Sequence, residues 1–448
     1  MRSKKINSLP KHQKLSGAFN IGLLLTAWMV ISFSFNAFDG TGGYVVRPAS
    51  ASSHQSNSHD QLDTFDHIIL TWTDNPATSQ AVTWRSLIDF KNSFAEIAPA
   101  KASPDFVKNA EKILAETTPL QTGSGSVYYH SVSFFNLRPN TLYAYRVGNG
   151  DIWSEWFQFR TASNQAEPFS FLYFGDAQKN IFSLWSRTIR TAILKSPEAR
   201  FMIHAGDIVE HKNDDSEWNE WFSAGGWIFA TIPSLPVIGN HEYKKWKDKK
   251  RTLSRFWRPQ FTLPQNAIAG LEETFYYIDY QGARIVVLNS NKKIEQQAEW
   301  FENVLKHNPN HWTIVTFHHP VYSSALSRDN KKLRKYWKPL LDKFGVDLVL
   351  QGHDHVYARG RDPGLDDNPK GNGPVYVTSV SGPKMYKLDR KDWMDRAGEN
   401  MQLFQVIAIS KKILSYKSMT VTGKVYDAFD LIKKEGSAGE LINRIPAE

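Results

Sequence analysis

Five short polar motifs close apolar runs along this 448-residue chain: Gly175-Asp176-Ala177-Gln178, Gly206-Asp207, Gly239-Asn240-His241-Glu242, His318-His319 and Gly352-His353-Asp354-His355. Their side chains are carboxylates, amides and imidazoles. That donor set suits first-row divalent or trivalent metals. Calcium wants oxygen alone, and structural zinc usually wants thiolate. The chain has no cysteine, so a Cys-based zinc or iron–sulfur site is excluded.

Each motif alone is bland. A lone Gly-Asp or Gly-Asn-His is most often a turn, and a solitary His318 would be a satisfied interior residue. His353 and His355 would face the same way on an extended chain, whereas Gly352 permits a turn that aims them at two different ions. Together the motifs read differently. Each follows a strand-like run, so all can emerge along one edge of a layered sheet. Burying so many polar groups costs on the order of several kcal/mol unless metal or hydrogen bonds satisfy them.

The elements that must carry them fall into two blocks. His67 to Trp72, Gln80 to Trp84, Ser126 to Leu137, Tyr143 to Val147 and Glu155 to Arg160 are strand-like. The run Leu137-Arg138-Pro139-Asn140-Thr141-Leu142-Tyr143 resembles the tyrosine corner of fibronectin type III-like sandwiches. Asp105 to Thr117 has helical spacing and reads as an insertion into this all-β sandwich. From Phe169 strands and helices alternate, which implies a layered α/β fold with sites at strand C-terminal ends. Lys331 to Phe344 reads as one of its helices, and the runs from Val375 to Phe429 as strands of a second sheet.

With these motifs in this order, Phe169 to about Phe429 resembles the calcineurin-like metallophosphoesterases. Adding the preceding sandwich, the chain is similar to the purple acid phosphatases and their bacterial relatives over about four fifths of its length. The resemblance implies an αββα catalytic layer structure at 164–435 and a fibronectin-like domain at 63–163; composition marks a Ser/His/Asn/Gln-rich linker at 45–62 and a targeting segment at 1–44, and 436–448 is left as a tail. It implies two metal ions, Fe, Mn or Zn. Asp207 would bridge them, Asp176 and His355 would bind the first, and Asn240, His318 and His353 the second. The ligand of the His318-His319 pair would be His318. A hydroxide on the metals would attack a phosphate ester, most simply a phosphomonoester. His241 would bind phosphate oxygens or protonate the leaving group. Glu242 and Asp354 would support the ligands from behind.

Two positions leave the family pattern. Glu210 stands where the purple enzymes have the tyrosine that colours their ferric ion, so no purple band is expected. Gln178 stands where related diesterases have a ligating His, and either ligation or a supporting hydrogen bond is open to it. A phosphodiesterase or nucleotide pyrophosphate hydrolase therefore stays an alternative. A non-enzymatic envelope binding protein with a degenerate fold is a second. Lys244 to Arg251 is basic and could attract an anionic substrate, Arg359 could contact phosphate, and the loop from Arg361 to Pro374 could overhang the site.

The net charge of +9 does not indicate a nucleic-acid partner. Five positive residues precede the first acidic one, Asp39, which leaves +4 for the rest. That basic segment leads into Ile21 to Phe38, 18 residues without charge. It reads as a membrane anchor or, alternatively, a cleaved signal, with the remainder exported to the periplasm or cell envelope.

Overall fold

The computed structural model describes residues 64–244, 251–361, 373–433 and 439–446. The anchor, the linker, most of the basic stretch and most of the overhanging loop lie outside the described residues. Among the described residues no helix is long and apolar enough to cross a membrane.

Two four-stranded antiparallel sheets form the N-terminal sandwich. One orders Phe65–Thr71, Gln80–Ser86, Ser126–Phe134 and Glu116–Gln121; the other orders Glu111–Leu114, Phe94–Pro99, Leu142–Gly148 and Phe157–Arg160. Alternate residues such as Val82, Trp84, Val132, Phe134, Tyr145 and Val147 meet between them. The tyrosine corner is present: the Tyr143 hydroxyl accepts the Arg138 N–H at 2.9 Å. The helix expected over 105–117 is not. A short 3-10 turn, Pro104–Asn109, gives way at the extended residue Ala110, and two strands follow. Thr117, Thr118 and Pro119 disfavour helix, and Pro119 is tolerated because its strand lies at the sheet edge.

Two seven-stranded sheets build the second block. In the first, Ser234–Pro236, Met202–His204 and Phe169–Phe174 run parallel. Leu403–Ile409, Ile413–Thr420, Val425–Ile432 and Glu440–Asn443 extend it antiparallel. The expected C-terminal tail thus contributes the edge strand Glu440–Asn443. In the second sheet Ala283–Val287, Trp312–Thr316, Leu348–Gln351 and Val375–Thr378 are parallel neighbours. Antiparallel strands flank them: Tyr276–Tyr280 on one side, Tyr357–Gly360 and Met394–Gly398 on the other.

Side-chain alternation separates the layers. Ile285, Val287, Ile314, Leu348 and Leu350 share a core with Phe171, Leu172 and Ile203 of the first sheet. Val286, Val315 and Val349, one residue out of step, pack instead against Phe301, Leu333, Trp337 and Leu341 of the outer helices. Ser186–Lys195 covers the other sheet through Ile189, Ala192 and Ile193. The helix expected at 331–344 is divided into Lys331–Tyr336 and Lys338–Lys343, because Pro339 has no N–H and its ring crowds the turn before it.

The sandwich buttresses the second block. Arg85 bonds Asp66 at 2.7 Å and, across the boundary, Asp215 at 3.0 Å. The Tyr145 hydroxyl donates to the Ala230 carbonyl at 2.6 Å.

Three of the buried histidines, His67, His130 and His204, lie outside the ligand motifs. Burial pushes His67 and His204 down to about 3 and His130 to about 4, from an ordinary 6.5. The unfolded chain therefore binds more protons than the folded one between those limits. Their contribution to stability is complete above 6.5 and declines as pH falls toward 3. Urea midpoints are expected to drop steadily from pH 7 to pH 4, with a shallower slope for His204→Leu. Equal slopes for the two proteins would contradict the assignment.

Candidate metal centre

Short buried strands deliver the motifs and then stop abruptly. Asp176, Asp207, His353 and His355 have φ of 43, 48, 73 and 46°, left-handed backbone that turns each side chain back over its strand end. The glycines before the motifs are explained by what lies against them. A Cβ on Gly239 would sit 2.2 Å from Asp207 Oδ1, and one on Gly352 would sit 2.3 Å from Asp176 Oδ2. Gly239 and Gly352 thus each make room for another motif's carboxylate, whereas Gly206 lies against Gly239 and Gly175 against the Ser379 carbonyl. Gly239→Ala is expected to displace Asp207 and lower metal affinity by about 10–100-fold, as loss of ligand support does. Metal titration checks this, and wild-type affinity would contradict it.

Two groups of ligand atoms, each within 4.8 Å of one another, result: Asp176, Asp207 and His355, and Asp207, His318 and His353. Asp207 belongs to both. His318 Nε2 lies 3.1 Å from Asp207 Oδ2, 3.1 Å from His353 Nδ1 and 3.2 Å from Asn240 Oδ1. His355 Nε2 lies 3.3 Å from Asp176 Oδ1. Backbone carbonyls fix the tautomers. His318 Nδ1–H donates to Ala205 at 2.8 Å, and His355 Nδ1–H donates to Lys384 at 2.8 Å.

This arrangement fits metal ions. Orienting the two rings leaves bare Nε2 lone pairs facing carboxylate oxygens, which repel unless a cation lies between them. Asp176 Oδ1 is buried without a hydrogen-bond partner. Burial opposes charge on His318, yet Asp207 and Asp176 outweigh it and raise the imidazole to about 9. A proton is thus drawn to the place a metal would take.

Comparison with known proteins agrees. Residues 65–161 match the purple acid phosphatase N-terminal domain, and residues 169–357 match the calcineurin-like phosphoesterase family. Residues 169–357 thus carry a calcineurin-like phosphoesterase domain. It is 26% identical over 265 residues to probable purple acid phosphatase 20 of Arabidopsis thaliana, covering 57% of this chain and 60% of that protein. It is 26% identical over 253 residues to Fe(3+)-Zn(2+) purple acid phosphatase 12 of the same plant, covering 52% of each. The chain therefore spans little more than half the length of these curated relatives. The purple acid phosphatase PPD1 of yellow lupin shares the fold with a TM-score of 0.71 at 20% identity, over 83% of this chain and 75% of that one.

Around these ligand groups, buried acids hold the turns. Glu242 accepts the N–H groups of Asp207 at 3.0 Å, Ile208 at 2.9 Å and Gly239 at 2.8 Å. Burial and the nearby Asp207 charge push Glu242 up to about 8. Asp354 accepts from Ser324 N at 2.6 Å and pairs with Arg328 at 3.1 Å. His319 turns away from the ligand atoms, with Nδ1 2.8 Å from Ser290 Oγ.

Gln178 Nε2 donates to Asp207 Oδ2 at 3.1 Å, while its oxygen accepts from Lys384 Nζ at 3.0 Å. It thus supports the Asp207 carboxylate through its N–H, while Lys384 occupies its acceptor. Glu210 pairs with Lys384 and Lys244, each at 3.2 Å, and stands outside both ligand groups. Arg359 is not a phosphate contact. It is fully buried beneath the second sheet's edge, bonded to Asp427 at 2.8 Å, and to Asp395 and Asn443 at 2.7 Å each. Its place inside the Tyr357–Gly360 strand gives it that structural role.

Sequence reading missed Lys384 and Tyr386. Tyr386 stacks on His355 with centroids 4.4 Å apart. Both lie in an irregular segment with no ligand motif of its own, so no local signal marked them.

Proposed function

We propose that this chain is an exported two-metal phosphomonoesterase. The observation that carries the reading is Asp207, one carboxylate shared by two adjoining ligand groups. A carboxylate can hold a cation on each oxygen and reduce the repulsion between them. Asp176 and His355 would complete the first position, and Asn240, His318 and His353 the second. Metals bound there would supply Lewis-acid stabilisation of a phosphate ester and a nucleophile active near neutral pH.

The chain's own residues do the rest. His241 Nδ1–H donates to the Glu210 carbonyl at 2.6 Å, which orients Nε2 toward the centre, 3.8 Å from Asp207 Oδ2. From Nε2 it hands a proton to the leaving oxygen as the P–O bond breaks. Its backbone N–H, 2.7 Å from Asp207 Oδ1, steadies the bridging carboxylate.

Ligands of Asp, Asn and His suit Fe, Mn or Zn. A relative is named for an Fe(3+)-Zn(2+) pair. Glu210, engaged by two lysines, replaces the coloured enzymes' tyrosine and favours a colourless centre. Acid phosphatase relatives support monoester substrates, and the basic start followed by Ile21 to Phe38 supports export to the envelope with retention in the membrane.

The test is turnover of p-nitrophenyl phosphate and bis-p-nitrophenyl phosphate by metal-stripped protein given Mn, Zn or Fe. Hydrolysis of the monoester is expected to dominate. Activity on the diester alone would sink the monoester reading.

A further inference from the structure

Beside the metal centre lies a cleft of about 560 Å³, within the ~300–1,000 Å³ range of small-ligand sites. His319 forms the wall it shares with the centre, its ring 4.3 Å from that of His353. Asn291 also lines it, bonded through Nδ2 to the Ile238 carbonyl at 3.1 Å, two residues before Asn240. The cleft therefore opens from the side of Asn240, His318 and His353, where a bound ester's leaving group has room to extend.

Its remaining lining is cationic. Arg251, Lys331 and Lys332 converge on it from two separate segments, and all three are exposed. The single carboxylate on the wall, Asp329, is engaged by Arg334. Among the described residues no acidic side chain pairs with any of the three cations. Like charges gathered in a concave site focus a positive potential, and an anion relieves their repulsion. The Ser290 hydroxyl is held by His319, and the buried Asn291 Oδ1, which lacks a hydrogen-bond partner, can accept from a hydroxyl of the leaving group.

We propose that this cleft is a subsite for a second phosphate, carried on the leaving group of the substrate. The proposal rests on the phosphoesterase reading and narrows it to bisphosphorylated small molecules. The first phosphate is cleaved at the metals, and the second is held by Lys331, Lys332 and Arg251.

A matched pair of probes tests it: fructose 1,6-bisphosphate and fructose 6-phosphate, with the metal-loaded full chain. The bisphosphate is expected to show about tenfold higher kcat/KM, and Lys331→Ala/Lys332→Ala to remove that advantage while the monophosphate rate stays within about twofold. Arg251→Ala is expected to give a smaller loss in the same direction. Equal kcat/KM for both probes in the parent protein, or an undiminished preference in the double variant, overturns the subsite. Calorimetry of the bisphosphate with metal-free protein separates this outcome from failure of the phosphoesterase reading. If neither probe is hydrolysed, binding that weakens about tenfold in the double variant upholds the subsite, and absence of binding refutes it.

Discussion

Asp207→Ala is expected to empty both metal positions together and to lower turnover by at least about 10³-fold, beyond the loss for a single stabilising donor. Asp207 is the residue common to the two ligand groups. Its Oδ2 faces His318 Nε2 at 3.1 Å and its Oδ1 receives the His241 N–H at 2.7 Å. Burial raises its cost as an anion, yet His318 and His241 hold its carboxyl well below the ordinary range, so it is ionised and ready to share. Replacing a ligand confined to one group, as in His355→Ala, should instead spare the other position. Metal analysis of both variants decides the matter. Two metals retained by Asp207→Ala, or both lost equally from His355→Ala, would refute the shared-carboxylate arrangement. Circular dichroism confirms that the fold persists.

The second large effect is expected at His241, and it should depend on the leaving group. His241→Asn keeps a polar side chain but cannot deliver a proton. Loss of a general acid costs about 10²–10⁴-fold, which should appear with alkyl phosphates, whose alkoxide leaves poorly. Nitrophenolate departs without protonation, so p-nitrophenyl phosphate turnover should fall far less. Metal content should be unchanged, because His241 Nδ1 is committed to the Glu210 carbonyl. An equal loss on both substrates would assign His241 to holding phosphate rather than to proton transfer.

Much of the centre was legible in the chain because each ligand ends a buried strand. Short apolar runs ending in Gly-Asp, Gly-Asn-His and Gly-His-Asp-His mark both the strand and the turn that terminates it. The pattern also marked the tyrosine corner, where local sequence and backbone geometry coincide. Legibility failed where a neighbour decides. Residues 105–117 have apolar spacing that suits a helix, but only a 3-10 turn forms at their start, and from Glu111 they pair with free sheet edges as strands. Arg359 looked like a phosphate contact from its closeness to His355, yet strand alternation points it into a buried acidic pocket with Asp427. Lys384 and Tyr386 follow no motif, and only folding brings them against Gln178 and His355.

By itself, then, the sequence determined the donor types, their order, the absence of thiolate and the layered α/β class, because these depend on residue identity and short-range periodicity. Tertiary structure decided how closely the ligand groups adjoin, what Gln178 and Arg359 bond to, and why glycine stands at 239 and 352. Those outcomes depend on distances between segments far apart in the chain. Gly239 lies against Asp207 and Gly352 against Asp176, so each close approach is a relation between two motifs that neither states alone.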